Sequence, residues 1–115
     1  MNSIATWAVA IGLAVVCTFH PQKSTAETFT GAEFLTWPVD GQDNYIGIAV
    51  TMASLIATRV NPSTGQCLDG WYAASEDVAA SRDAEIRAVI ARNAEYHPSA
   101  VIMLVLEGAC GSFAP

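Results

Sequence analysis

Basic side chains are scarce in this sequence. One lysine, Lys23, and four scattered arginines stand against eleven acids, for a formal net charge of −6. With no basic cluster, nucleic acid and anionic membrane surfaces are poor partners. An acidic field suits a basic partner, or simply keeps a small protein soluble. Charged residues make up 14% and apolar ones 52% of the chain, so intrinsic disorder is not expected. No segment alternates polar and apolar residues as a half-buried strand does. There is no glycine-rich phosphate loop after a strand, no carboxylate or histidine spacing diagnostic of a metal, and no catalytic-triad signature. No cofactor is therefore expected. Internal repeats, low-complexity stretches and linkers are also missing, and 115 residues leave room for one domain.

The first apolar run, Ile4 to Phe19, is followed by His20-Pro21-Gln22-Lys23 and then by Ser24-Thr25-Ala26. That order is the apolar and cleavage region of a secretory signal, with a small-x-small site before Glu27. The run is short for a membrane span, and Val16 before Cys17 is not the small residue a lipoprotein signal needs. Residues 1–26 are expected to be a cleaved signal peptide and 27–115 a single periplasmic or secreted domain, with no membrane contact after cleavage. Its four arginines and eleven acids give a net charge of −7. Cleavage also removes Cys17 and leaves two cysteines, Cys67 and Cys110, an even pair that predicts one disulfide enclosing 42 residues.

Within the domain the periodicities are helical. Thr30-Gly31-Ala32-Glu33 has capping-box spacing, and the short helix it opens ends near Thr36 because Pro38 restricts Trp37. Asp40 precedes a long run, Gly41 to Val60. In it Tyr45, Ala49, Met52, Ile56 and Val60 share one apolar face, with Ile46, Val50 and Ala53 beside it. Gly47, Thr51, Ser54 and Thr58 form a small-residue stripe that either faces water or, as expected for a helix without a charged face, meets another helix closely. A short helix is expected over Thr64–Tyr72, weakened by Gly65 and Gly70. Ser75 caps one or two segments between Glu76 and Ala94, with a possible break at Ser81 and a stripe of Ile86, Val89, Ile90 and Asn93. The most apolar segment starts at Pro98 and stops at Gly111. The expected fold is all-α: a small single-domain bundle of four or five helices around this C-terminal apolar helix, held by the Cys67–Cys110 disulfide.

Candidate functional residues are few. Trp37, Trp71 and Tyr72 fall outside the helical stripes, as interface anchors would, or as lids over core edges would. His97, the sole histidine of the domain, is a helix cap before Pro98 or a general base oriented by Glu95 or Asp69. Glu107 interrupts the most apolar helix near its C-terminus, where the dipole disfavours an acid. It faces a solvent gap, or pairs with Arg59, Arg82, Arg87 or Arg92. The neighbouring acids Glu76 and Asp77, and Asp83 and Glu85, have the pattern of solvated helix surface.

A helix opening Gln42-Asp43-Asn44-Tyr45-Ile46-Gly47, a cysteine at 67 and a last helix running from Pro98-x-Ala100 through Leu104 and Leu106 to Cys110 resemble the Rap1a/Tai-type small periplasmic proteins, within the wider HdeA-like group. The resemblance spans residues 42–110. It departs at Asn44, where the family often has a cysteine, at Ala49–Met52, where it often has an aspartate, and at Gly108-Ala109 before the last cysteine. It implies a helical single-disulfide fold and an immunity-type protein that binds another protein and is not an enzyme. A periplasmic stress or chaperone-like role and a small hydrolase using His97 are the alternatives. No site residue carries over.

Overall fold

Among the described residues, prolines and caps mark out five helices: α1 (Gly31–Phe34), α2 (Val39–Val60), α3 (Pro62–Tyr72), α4 (Glu76–Arg92) and α5 (Pro98–Cys110). The structure, a computed structural model, describes residues 28–114. The expected signal peptide, its cleavage site and Cys17 lie outside the described residues. Among the described residues there is no strand, and the fold is the expected all-α one.

Each helix start has a local cause. At α1 the Thr30 hydroxyl accepts the Glu33 amide at 3.3 Å, so half of the expected capping box forms. The Gly31 and Ala32 amides instead find carbonyls of the α4–α5 connection, Tyr96 and Ala94, at 2.8 and 2.9 Å. The long helix α2 begins at Val39, two residues before the expected Gly41. Pro38 sits at its N-cap and its carbonyl accepts the Gln42 amide at 3.0 Å, so Asp40 joins the first turn, where the helix dipole favours it. Pro62 likewise opens α3 two residues early, because proline suits a first turn. The Ser75 hydroxyl caps α4 through the Val78 amide, and α4 runs through Ser81 without a break. Pro98 opens α5, and Gly111 closes it at φ +88°, a conformation that favours glycine.

The core draws on every helix. Phe34 from α1, Ile46 from α2, Leu68 from α3, Ile86 and Ile90 from α4, and Ile102 and Leu106 from α5 are all fully buried. Helix α5 packs against α2, α3 and α4 through Pro98, Val101, Ile102 and Leu106. Cys110 at its end is bonded to Cys67 in α3, with the Cα atoms 5.7 Å apart.

The buried face of α2 is shifted from the expected stripe onto the residues beside it, Ile46, Val50 and Ala53 among them. Gln42, Ile46, Val50, Ala53, Ser54 and Ala57 point inward, whereas Met52, Ile56 and Val60 of the expected stripe are exposed. Helix α2 is apolar almost all round, so periodicity does not select a face. Small side chains do. Of the expected small-residue stripe, Gly47, Ser54 and Thr58 meet α3 closely, whereas Thr51 is exposed. A Cβ placed on Gly65 would come within 2.9 Å of the Thr58 Cα, and one on Gly47 within 3.4 Å of the Tyr72 hydroxyl. Close approach there turns the bulkier residues of α2 outward.

Candidate protein-docking surface

With its small-residue side committed to α3, α2 presents a ridge of Ile48, Met52, Leu55 and Ile56 to solvent, each more than half exposed. Val60 continues it at the C-terminal end. The one hydroxyl within the ridge, Thr51, bonds to the Gly47 carbonyl at 2.7 Å, so it demands little of water. The charges of α2 lie toward its ends, Asp40 and Asp43 near the start and Arg59 in the last turn; Asp43 pairs with Arg87, whereas among the described residues Asp40 and Arg59 have no ion-pair partner. A contiguous apolar patch with a charged margin is the composition of a protein-binding face. The helical pattern puts Met52, Ile56 and Val60 on one apolar face and does not distinguish Ile48 and Leu55. The available signal was the spacing of Ile48, Met52, Leu55 and Arg59 at four, three and four residues.

Trp37 lies at the N-terminal end of this ridge. Its exposed ring stacks on Phe29 at 5.1 Å between centroids and meets Tyr45 edge-on at 5.8 Å. Trp37, Asn44, Tyr45, Ile48 and Ser99 line a shallow groove, in which the Tyr45 and Ser99 hydroxyls bond at 2.5 Å. The other two candidate anchors are lids. Trp71 is half-buried under the Arg82 guanidinium, 4.5 Å above its ring, while the Arg82 Nε–H donates to the Trp71 carbonyl at 3.0 Å. Half-buried Tyr72 donates its hydroxyl to Asp83 Oδ1 at 2.6 Å. Both residues belong to the last turn of α3, not to a connection.

His97 and Glu107 stand apart from this face. His97 Nδ1 accepts the Ser99 amide at 3.1 Å, which makes it the cap of α5, and its ring meets Phe29 edge-on. Neither Glu95 nor Asp69 forms an ion pair with it among the described residues, and Asp69 accepts the Ser54 hydroxyl at 2.6 Å. Glu107 is exposed. It has no arginine partner among the described residues, because α5 turns it to the same outward side as Leu104, which is 69% exposed. Arg82 pairs with Glu85 and Arg87 with Asp43 instead.

The buried acid is Asp83, only 9% exposed, contrary to its expected place on a solvated surface. The stripe contained the signal, since Asp83 precedes Ile86 by three residues and Ile90 by seven, on the inward face of α4. Behind it, Arg87 pairs with Asp43 and donates to Gln42 Oε1 at 2.8 Å. The Gln42 amide in turn donates to the Leu35 and Trp37 carbonyls, tying α1, α2 and α4 together. Burial raises the Asp83 pKa above the ordinary carboxylate value. The Tyr72 hydrogen bond opposes the rise, Asp43 adds to it, and Arg87 also opposes it. Burial and the same carboxylate push the Tyr72 hydroxyl upward too, so it stays protonated.

A carboxyl with a raised folded-state pKa binds its proton more tightly in the native state, so its contribution to stability falls as pH rises through the unfolded and then the folded value. Asp83→Asn is therefore expected to gain stability relative to the wild type between pH 3 and pH 7 in denaturant titrations. A difference that is flat or reversed in sign would contradict the burial effect. Tyr72→Phe leaves the Asp83 carboxylate short of a donor. It is expected to cost about 1.5–3 kcal/mol at pH 7, and less at pH 3.

Among the described residues no group of three or more metal-ligating side chains converges, and no helix is long and apolar enough to cross a membrane. The surface of α2 offers shape and apolar area for docking. Comparison with family models, with curated proteins and with solved structures returns no match.

Proposed function

We propose that this chain is an exported, non-enzymatic domain that binds another protein, of the immunity or inhibitor type. The outward face of α2 carries the proposal: four large apolar side chains in water on a helix whose opposite side holds the core together. The acidic balance of the domain favours a partner with a basic margin. Export is supported by the order of the N-terminal segment and by the paired Cys67 and Cys110. The resemblance to Rap1a/Tai-type proteins supports the immunity role, in which the partner is an exported enzyme whose activity the domain suppresses. After loss of residues 1–26 the domain resides in the periplasm or outside the cell.

Immobilised mature protein is expected to retain a discrete partner from periplasmic extract. Met52→Glu, at an exposed position, should keep stability within about 0.5 kcal/mol of wild type yet lose that partner. Leu104→Glu, equally exposed but on α5, should retain it. The same proteins held by wild type and Met52→Glu would overturn the proposal.

A further inference from the structure

Beside the ridge, a cavity of about 220 Å³ lies between α2 and α3. Val50 and Leu68, both buried, and Leu55, which also belongs to the ridge, supply its apolar wall. Its polar side is made of four hydroxyl residues, Thr51, Ser54, Thr58 and Tyr72, and one carboxylate, Asp69. Each of those hydroxyl protons is already engaged. Thr51 donates to the Gly47 carbonyl at 2.7 Å and Thr58 to the Ser54 carbonyl at 2.8 Å. Ser54 donates to Asp69 Oδ1 at 2.6 Å, and Tyr72 to Asp83 Oδ1 at 2.6 Å. A hydroxyl whose proton is engaged can only accept from a newcomer. The side chains around the cavity therefore offer acceptors and no donor.

That lining discriminates between ligands. A carboxylate, a phosphate or an amide oxygen would set acceptor against acceptor, whereas a cation that donates and never accepts satisfies the wall. None of the arginines lines the cavity, and Asp69 has no ion-pair partner among the described residues. The volume is below the roughly 300–1,000 Å³ of sites for drug-sized molecules, and suits one long side chain with its stem along Val50, Leu55 and Leu68. Guanidinium fits better than ammonium, because it is more weakly hydrated and its fixed fork of N–H groups reaches several separated acceptors. We infer that this cavity receives an arginine side chain of the partner protein, with the guanidinium on Asp69. The inference rests on reading the adjacent α2 ridge as a protein-docking surface, and it names the chemistry of the partner's anchor.

The test uses the mature protein with its disulfide intact and, as probe, Nα-acetyl-arginine methylamide. An NMR titration is expected to show saturable shifts at Ser54, Leu68 and Asp69, in the millimolar range of a single side chain. The citrulline analogue, neutral and of nearly the same shape, should bind at least about tenfold more weakly, or 1.4 kcal/mol. Asp69→Asn should weaken the arginine probe by as much. It keeps an acceptor for the Ser54 hydroxyl, so its thermal midpoint should match wild type. No saturable binding, equal binding of the two probes, or equal binding by wild type and Asp69→Asn would overturn the inference. Capture from periplasmic extract separates it from the docking reading. If Met52→Glu loses the partner while Asp69→Asn holds it as tightly as wild type, the arginine inference fails and the docking reading stands. If only Asp69→Asn loses it, the ridge reading fails and the cavity stands. If both variants hold it, both fail.

Discussion

Reduction of the Cys67–Cys110 bond is expected to lower the unfolding free energy by about 4 kcal/mol, on the chain-entropy relation for a loop of this length. The two cysteines are 43 positions apart, and between them lie the C-terminal part of α3, all of α4 and most of α5. Without the bond, the unfolded chain recovers the freedom of that whole loop. The native contacts that hold the end of α5 to α3 remain, but Gly108 and Ala109 are exposed and add little packing there. For a domain of this size, the loss corresponds to a fall in thermal midpoint on the order of 15–30 °C. Melting curves with and without reductant, and of the Cys67→Ser, Cys110→Ser double variant, measure it. A midpoint unaffected by reductant would show that the helical packing suffices by itself.

Substitution of two glycines in the same helix is expected to have opposite effects. At Gly65, a Cβ would meet the Thr58 hydroxyl oxygen at 2.1 Å and the Thr58 Cα at 2.9 Å. The hydroxyl can rotate away, at the loss of its 2.8 Å bond to the Ser54 carbonyl, but the α2 backbone cannot. Gly65→Ala must therefore push α3 from α2 along their contact, where the Leu68 and Ala57 side chains are fully buried. The expected cost is about 3 kcal/mol, at the upper end of overpacking penalties. At Gly70, nothing lies within 4 Å of the added carbon. Gly70→Ala should instead stabilise by about 0.5–1 kcal/mol, because alanine loses less backbone entropy in a helix. Urea titrations of the two variants decide the matter. Equal effects would mean that α2 and α3 do not meet as closely as the structure has them.

Local chemistry made much of the fold legible in the sequence. Ser75 capping α4, Pro98 opening α5, Gly111 closing it and the short α1 ending ahead of Pro38 each depend on a few neighbouring residues. Helices α2 and α3 start two residues before the positions the pattern indicates, at Val39 and Pro62, since a proline can stand at an N-cap or first turn as readily as it can end a helix. Gly65 illustrates the opposite failure. Its low helix propensity was legible and pointed to a weak helix, yet its missing side chain is what lets α3 seat against Thr58.

Little of the candidate site was legible. Of the three aromatics outside the helical stripes, Trp37 is exposed beside the ridge, but Trp71 and Tyr72 cover the core edge. The residues that form the ridge are ordinary core types, and on a helix as uniformly apolar as α2 nothing local distinguishes a buried isoleucine from an exposed one. Asp83 and Glu107 show the same ambiguity for acids. Asp83 looked solvated and is buried against Tyr72, while Glu107 sits on the most apolar helix and faces water.

The sequence by itself determined the helical class, the cysteine pair and the caps, because periodicity, parity and first-turn chemistry act over a few residues. Which side of α2 would be core was decided only by the tertiary structure. The decision came from the close fit of Ser54 and Thr58 against Gly65, residues on two helices brought together by packing. That same fit turned Ile48, Met52, Leu55 and Ile56 outward, and so created the surface on which the proposed function rests.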